Sequence, residues 1–434
     1  MSDQEKDNKE FEFIKEQVVE RKRRKIKKWF LPPLLTLLLA ILFGLVASVT
    51  IVIAEPRLKK LFVDEDTRKP VYFPDDNAPG NLSPTVKATA SITPTPSATP
   101  VVIENSIPAD IDDYISMNND IKEVASSVSK SILNIRSKIT TDVVWFDKPV
   151  VKTVNTTGVI VFNNDEELLV LVSLDKVKGS DNIKVIFTDS ITVDATLQDY
   201  ETDLNLAIIA VPIKDIPLTF MNGLDQAKLG ESYSIVVGSP IIALGSPNGH
   251  AGSMEIGMIT SKGSCACLTD NEMDLFNTDI IDNKNSDGVI VDFKGQVIGI
   301  ITQELKEKDY ENLSTVIGIS KLKPIITAMG NKAPRIYCGI KADDLTSDTK
   351  VQYGVGNGIY VKDVVADSPA FKAGMQNGDI ILEVNGSSIL GVTNFYQKIS
   401  SYKPGEKVKV EVLRSIKGVD TKLTLSVTLV QKKK

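Results

Sequence analysis

The sequence predicts a mainly β protein that ends in a smaller unit of mixed strands and helices, and three observations lead there. First, short apolar runs recur through the middle of the chain: residues 157–162, 168–172, 183–187, 206–209, 235–237, 256–259 and 289–291. Gly, Asn, Asp or Pro punctuate nearly all of them, and many short strands between turn signals mark an all-β barrel or sandwich. Second, Ile121, Val124 and Val128 recur at helical spacing, which predicts one short helix before the first strand. Third, the pattern changes near Ala333. There Ser368-Pro369 fits a helix start, and Asn385-Gly386 is a tight-turn dipeptide between strands.

Composition narrows the function. The 434 residues are 42% hydrophobic and 24% charged, which suits a chain that mostly folds and has room for two or three domains. The net charge is -6, with basic residues concentrated in the first 28 positions. That balance argues against a nucleic-acid partner, because phosphate binding needs clustered positive charge in the folded part. Cys265, Cys267 and Cys338 are too few and too oddly spaced for a disulfide framework or a zinc site, so no metal and no cofactor is expected.

The N-terminal quarter reads as an anchor and a spacer. Residues 1–28 end in seven basic residues out of eight (Arg21 to Lys28) and form the expected cytoplasmic tail. Residues 29–54 carry no charge, and 26 apolar-rich positions exceed the ~20 that a helix needs to cross a bilayer. The positive-inside bias places the N-terminus in the cytoplasm and the bulk of the chain outside the membrane. A cleaved signal peptide is the competing reading, but its apolar core is normally ~7–15 residues. Residues 55–110 are rich in Pro, Ser and Thr and read as an extended, disordered stalk.

From Val124 to Ile326 the landmarks resemble the HtrA/Deg group of trypsin-like serine proteases. They are Thr202-Asp203-Leu204-Asn205-Leu206-Ala207-Ile208, Ala243-Leu244-Gly245-Ser246-Pro247-Asn248-Gly249, Thr278-Asp279, and Gly295-Gln296-Val297-Ile298-Gly299-Ile300, in the family's order and spacing. The resemblance implies two six-stranded β-barrels over residues 111–330, with an active site in the cleft between them. Chemistry there requires a Ser, a His to take its proton, an Asp to orient the His, and backbone N–H groups for the oxyanion. The position matching the His is Asp175, and a carboxylate with an ordinary pKa near ~3.9 is a poor base for a hydroxyl. His250, the single His of the chain, lies in a turn far along the sequence and reads as a solvated residue. The resemblance assigns the Asp to Asp203 and the nucleophile to Ser286, or to Asp287 when counted forward from Thr278. Lys284 and Asp287 stand where the family has Gly, which restricts a loop that must turn its N–H groups inward. The three positions are therefore expected to be vestigial.

Residues 333–434 resemble a PDZ domain of the HtrA type. Gly358 to Val361, Ser368 to Met375 and Gly378 to Gly386 carry the resemblance. Such domains bind a peptide C-terminus as an added strand, with backbone N–H groups holding its carboxylate. The resemblance assigns the carboxylate loop to Tyr337-Cys338-Gly339-Ile340, and the opposite groove wall to a helix near 393–402 carrying Phe395 and Ile399. The expected protein is a single-pass membrane pseudoprotease that binds peptides or protein C-termini as a scaffold or regulator of envelope protein quality control. Partners expected by analogy are further copies in a trimer, or an active relative. The alternative is an active serine endopeptidase with a non-standard site.

Overall fold

The computed structural model describes Pro70 and residues 110–433 apart from 146–147, 189 and 307–311. The expected tail and membrane span, and nearly all of the stalk, lie outside the described residues. Among the described residues no helix is long and apolar enough to cross a membrane.

Helix α1 (Ile111–Ser129) begins at Asp110, whose carboxylate accepts the N–H groups of Asp112 (2.8 Å) and Asp113 (3.1 Å). The Asp113 side chain returns to the N–H of Asp110 at 3.2 Å, so the exposed amides of the first turn are satisfied reciprocally. Ile121, Ala125 and Val128 are its buried stripe.

The first barrel comprises β1 (Ile132–Trp145), β2 (Lys148–Asn163), β3 (Glu167–Ser173), β4 (Asn182–Ile186), β5 (Thr192–Glu201) and β6 (Leu206–Pro212). It closes in the order β1-β2-β3-β6-β5-β4. A four-residue helix, α2 (Leu218–Met221), lies in the connection to the second barrel. That barrel comprises β7 (Pro240–Ser246), β8 (Ser253–Leu268), β9 (Asn271–Ile281), β10 (Asp287–Val291), β11 (Val297–Ile301) and β12 (Leu313–Gly318), and it closes through β10 on β7. Helix α3 (Ile319–Gly330) follows.

The unbroken apolar runs have a direct explanation here. In β3, Leu168, Val170 and Val172 fill the first barrel, while Leu169 and Leu171 point the other way. That second set meets Ile242, Leu244, Val289 and Val291 of the other barrel in a shared core. Both faces of the strand are buried, so the period-two alternation of side chains cannot appear as an alternation of polarity. One expected strand is absent: residues 235–237 form a loop, with Val236 and Val237 exposed. The next strand, β7, is already flanked by β8 and β10, which leaves this run no neighbour to pair with.

The C-terminal unit contains β13 (Ile336–Tyr337), β14 (Ile340–Asp344), α4 (Ser347–Tyr353), β15 (Ile359–Val364), α5 (Pro369–Lys372), β16 (Ile380–Val384), β17 (Ser387–Ser388), α6 (Val392–Ser400), β18 (Lys407–Ile416), β19 (Val419–Thr428) and β20 (Val430–Gln431). Its sheet runs β14-β15-β16-β18-β19, which leaves β14 at an edge, while β13 pairs with β20. Ser368 caps α5 through the N–H of Phe371 (3.1 Å), and Asn385-Gly386 turns β16 into β17.

Asp379, fully buried, receives both Nε (2.6 Å) and Nη2 (2.7 Å) of Arg414 in a forked ion pair. Removing one partner strands the other charge in the interior at a cost of about 3–5 kcal/mol. Arg414→Ala is therefore expected to lower the unfolding midpoint of the C-terminal unit by more than ~10 °C in calorimetry. A shift within ~2 °C would show that this pair is not structural.

Candidate functional site

The cleft between the barrels is built from three short turns and one strand start. At the end of β3 the chain enters a 3-10 turn, Leu174–Lys176, that carries Asp175 to the cleft with its side chain about half exposed. The Asp175 carboxylate accepts Nδ2 of Asn205 at 3.0 Å, its own N–H donates to Asn205 Oδ1 at 2.8 Å, and Lys176 Nζ lies 2.9 Å away. Asn205 follows the 3-10 turn Thr202–Leu204 with φ +53°, a left-handed conformation that Asn tolerates better than most residues. Asp203 bonds elsewhere: its carboxylate accepts Nζ of Lys432 at 2.8 Å, and Lys432 also reaches Glu201 at 2.6 Å. Asn205, which the sequence reading passed over, is thus the residue that meets Asp175. The pairing is electrostatically coherent, since an acidic residue at 205 would face the Asp175 carboxylate with like charge, whereas an amide donates to it.

Ser286 is buried in a turn that folds its polar groups back on itself. Its hydroxyl accepts the N–H of Asn283 (3.0 Å), and its own N–H donates to the Asn283 carbonyl (2.9 Å). The N–H of Asn285 donates to Asn283 Oδ1 at 2.8 Å. Asp287 opens β10 beneath this turn, where its carboxylate accepts the hydroxyls of Thr156 and Ser173 and the N–H of Gly288. Gly288 sits at φ +120°, and a Cβ there would lie 2.2 Å from the Leu244 carbonyl, so the β10–β7 contact admits no side chain. Asp175, Asn205, Lys284, Ser286 and Gln303 line a cavity of about 60 Å³. That is space for about two waters rather than the ~300 Å³ or more of a typical ligand pocket. The turn holding His250 touches this region through Asn283 Nδ2 and the Asn248 carbonyl (2.7 Å), but His250 itself is exposed and lines no part of the cavity.

Burial pushes the Asp287 carboxyl above its usual range, against the opposing bonds from Thr156, Gly288 and Ser173. A pKa raised in the folded state gives stability that is present in acid and lost as pH rises through that raised value. Asp287→Asn removes the ionisation and keeps the shape. Melting temperatures of the two proteins are expected to coincide near pH 4 and to diverge in favour of the variant toward pH 7; a parallel offset at all pH values would contradict this.

A second constellation lies at the start of the C-terminal unit. Between β13 and β14 the chain passes through Cys338 and Gly339, the latter at φ +89° with a Cβ position 2.1 Å from the Ser368 side chain. This glycine lets three successive N–H groups converge. They converge on the carboxylate of Asp270: Cys338 at 2.8 Å, Gly339 at 2.8 and 2.9 Å to the two oxygens, and Ile340 at 3.1 Å. Asp270 is the second residue of the two-residue turn that joins β8 to β9, with φ +58°. Its own N–H donates to the Ile340 carbonyl at 2.8 Å. Burial pushes the Asp270 carboxyl up to about 6, against the three N–H bonds and the nearby Lys432. Phe395 and Ile399 of α6 are buried and pack with Ile340, Ile359 and Val384. The Cys338 side chain is buried in the same core, and its thiol is pushed well above its usual range by that burial.

Comparison with known proteins agrees with this architecture. The trypsin-like peptidase domain family matches residues 156–300, and the PDZ domain family matches residues 330–429. A probable periplasmic serine endoprotease, DegP-like, of Pseudomonas savastanoi pv. phaseolicola is 30% identical over 257 residues, covering 58% of this chain and 51% of that protein. The serine protease Do-like HtrB of Bacillus subtilis is 28% identical over 288 residues, covering 62% of this chain and 61% of that protein. The chain thus spans about half to three fifths of the length of these relatives. Among solved structures, the HtrA-type protease AlgW with a decapeptide superposes with a TM-score of 0.53 at 21% identity, over 72% of this chain and 99% of that one. AlgW with a tripeptide gives 0.53 at 23%, over 72% and 98%. By its two barrels and the domain that follows them, the chain joins a trypsin-like peptidase domain to a C-terminal PDZ domain, an arrangement similar to that of the HtrA-type proteases.

Proposed function

We propose that the protein is an HtrA-type pseudoprotease that works by binding peptide or protein C-termini through its PDZ domain, with the double barrel as an inert scaffold. In this reading Asp175, Asn205 and Ser286 stand where a working enzyme has its base, its orienting acid and its nucleophile. The observation that carries the reading is the Asp175–Asn205 pair, in which an amide donates to a carboxylate and no imidazole is available to take a proton from Ser286. The Ser286 turn supports it, because N–H groups that would stabilise an oxyanion are spent on Asn283. Losing the base alone costs an enzyme of this kind on the order of 10⁶-fold in kcat.

The uncharged segment 29–54 anchors the chain in the membrane, residues 55–110 hold the folded part away from it, and the barrels face the extracytoplasmic side. The periplasmic assignment of the Pseudomonas relative and the peptide-bound AlgW structures support this placement and ligand class by analogy. Assembly into trimers, or with an active relative as its regulatory subunit, is part of the proposal and rests on the HtrA resemblance alone. The chain then serves envelope protein quality control by presenting or withholding C-termini.

The test is hydrolysis of β-casein by the full chain in detergent micelles, beside Ser286→Ala and His250→Ala. All three proteins are expected to leave casein intact. Cleavage by the unaltered chain that vanishes in Ser286→Ala would establish the alternative, an endopeptidase, and its loss in His250→Ala as well would identify the base.

A further inference from the structure

The Asp270 contact reproduces what a bound peptide C-terminus would do. A C-terminal residue offers the cradle a carboxylate and, next to it, a backbone N–H for the exposed strand edge. Asp270 offers both: its carboxylate takes the N–H groups of Cys338, Gly339 and Ile340, and its N–H donates to the Ile340 carbonyl on the edge strand β14. The carboxylate belongs to a side chain instead of a chain end, which lets the middle of a polypeptide imitate a terminus. Beside it, Cys267 Sγ lies 3.5 Å from the Ala342 carbonyl, further along the same edge.

The hairpin is held in this position from below. Lys321 of α3 pairs with Glu272 and Asp274 of β9, each at 2.7 Å, which ties the hairpin to α3 close behind its turn. The tip is therefore a tethered ligand of restricted motion, and tethering gives an effective concentration on the order of millimolar or more. The seam is reinforced away from the cradle, where Arg335 pairs with Asp199 (3.1 Å) and Glu201 (3.2 Å) of β5.

We propose that Asp270 is a built-in competitor of the PDZ cradle, so that the protein is closed on itself and a peptide C-terminus binds only by displacing the β8–β9 hairpin. The inference rests on the peptide-binding reading given above and adds its regulation. Competition of this form lowers apparent affinity by the fraction of open molecules, so a 99:1 bias toward the closed form weakens peptide binding ~100-fold.

The experiment uses the full chain in detergent micelles and two variants, Asp270→Gly and Asp270→Asn. Gly accepts the positive φ of the turn and removes the carboxylate; Asn also tolerates that φ and keeps the volume. Hydrogen exchange is followed over residues 336–345. Capture is measured with a pool of random-sequence decapeptides bearing free C-terminal carboxylates, against the same pool amidated. The expected result is at least a ten-fold loss of protection at the cradle amides in Asp270→Gly, with at least ten-fold greater capture of the free-acid pool alone. Asp270→Asn should fall between the variant and the unaltered chain. Unchanged protection overturns the proposal, as does equal capture of free-acid peptides by all three proteins, although the latter leaves the peptide-binding reading intact. Loss of protection with no capture by any protein overturns the peptide-binding reading and the competition with it.

Discussion

Three consecutive N–H groups, from Cys338, Gly339 and Ile340, aimed at one carboxylate from another domain, set much of how this molecule is put together. Backbone N–H groups that converge this way form a local positive site that has to be satisfied by an anion or by water. Here the anion is Asp270, delivered by a two-residue turn that needs a positive φ at its second position. Gly339 makes the cradle possible and the β8–β9 register makes the delivery possible. A one-residue slip in that register would exchange the faces of the hairpin and turn the carboxylate away.

The cleft between the barrels follows a different logic. Its scaffold is intact, with a core shared by strands of both barrels and strands buried on both faces. The polar groups at its edge form a connected set of hydrogen bonds. Asn205 donates to Asp175, Asn283 gathers the turn at Ser286, and Asp287 accepts the hydroxyls of Thr156 and Ser173. Each of these groups has a partner within the protein. The buried Asp282–Lys306 pair, at 2.5 Å and joined by Gln303, fixes the same region from behind.

The barrels and the PDZ-like unit are legible in the sequence, because apolar runs between turn residues are local patterns. What was not legible depended on side-chain direction. Asp203 and Asn205 lie two residues apart across a 3-10 turn, and only the fold shows that 205 faces Asp175 while 203 faces Lys432. Residues 235–237 have the composition of a strand but no neighbour to pair with. Phe395 and Ile399 stand one turn apart on α6, a spacing shared by groove walls and by core stripes, and both are buried. The Asp270 contact joins positions some seventy residues apart, and its sequence signal is an ordinary turn, Thr269-Asp270-Asn271.

The most direct test of this account is the titration of the Asp270 carboxyl, followed by carbon-13 NMR of labelled aspartate with Asp270→Asn for assignment. The groups that face it are Lys432, Tyr337, Cys338 and Tyr396. Held in the cradle, the carboxyl should titrate at about 6, and the amides of Cys338, Gly339 and Ile340 should shift with the same midpoint. Because that value is raised on docking, the hairpin should hold most firmly in acid and loosen as pH rises through the midpoint. A midpoint near the ordinary ~3.9, with no response at the cradle amides, would mean that Asp270 stands in water and that the cradle is held by something else.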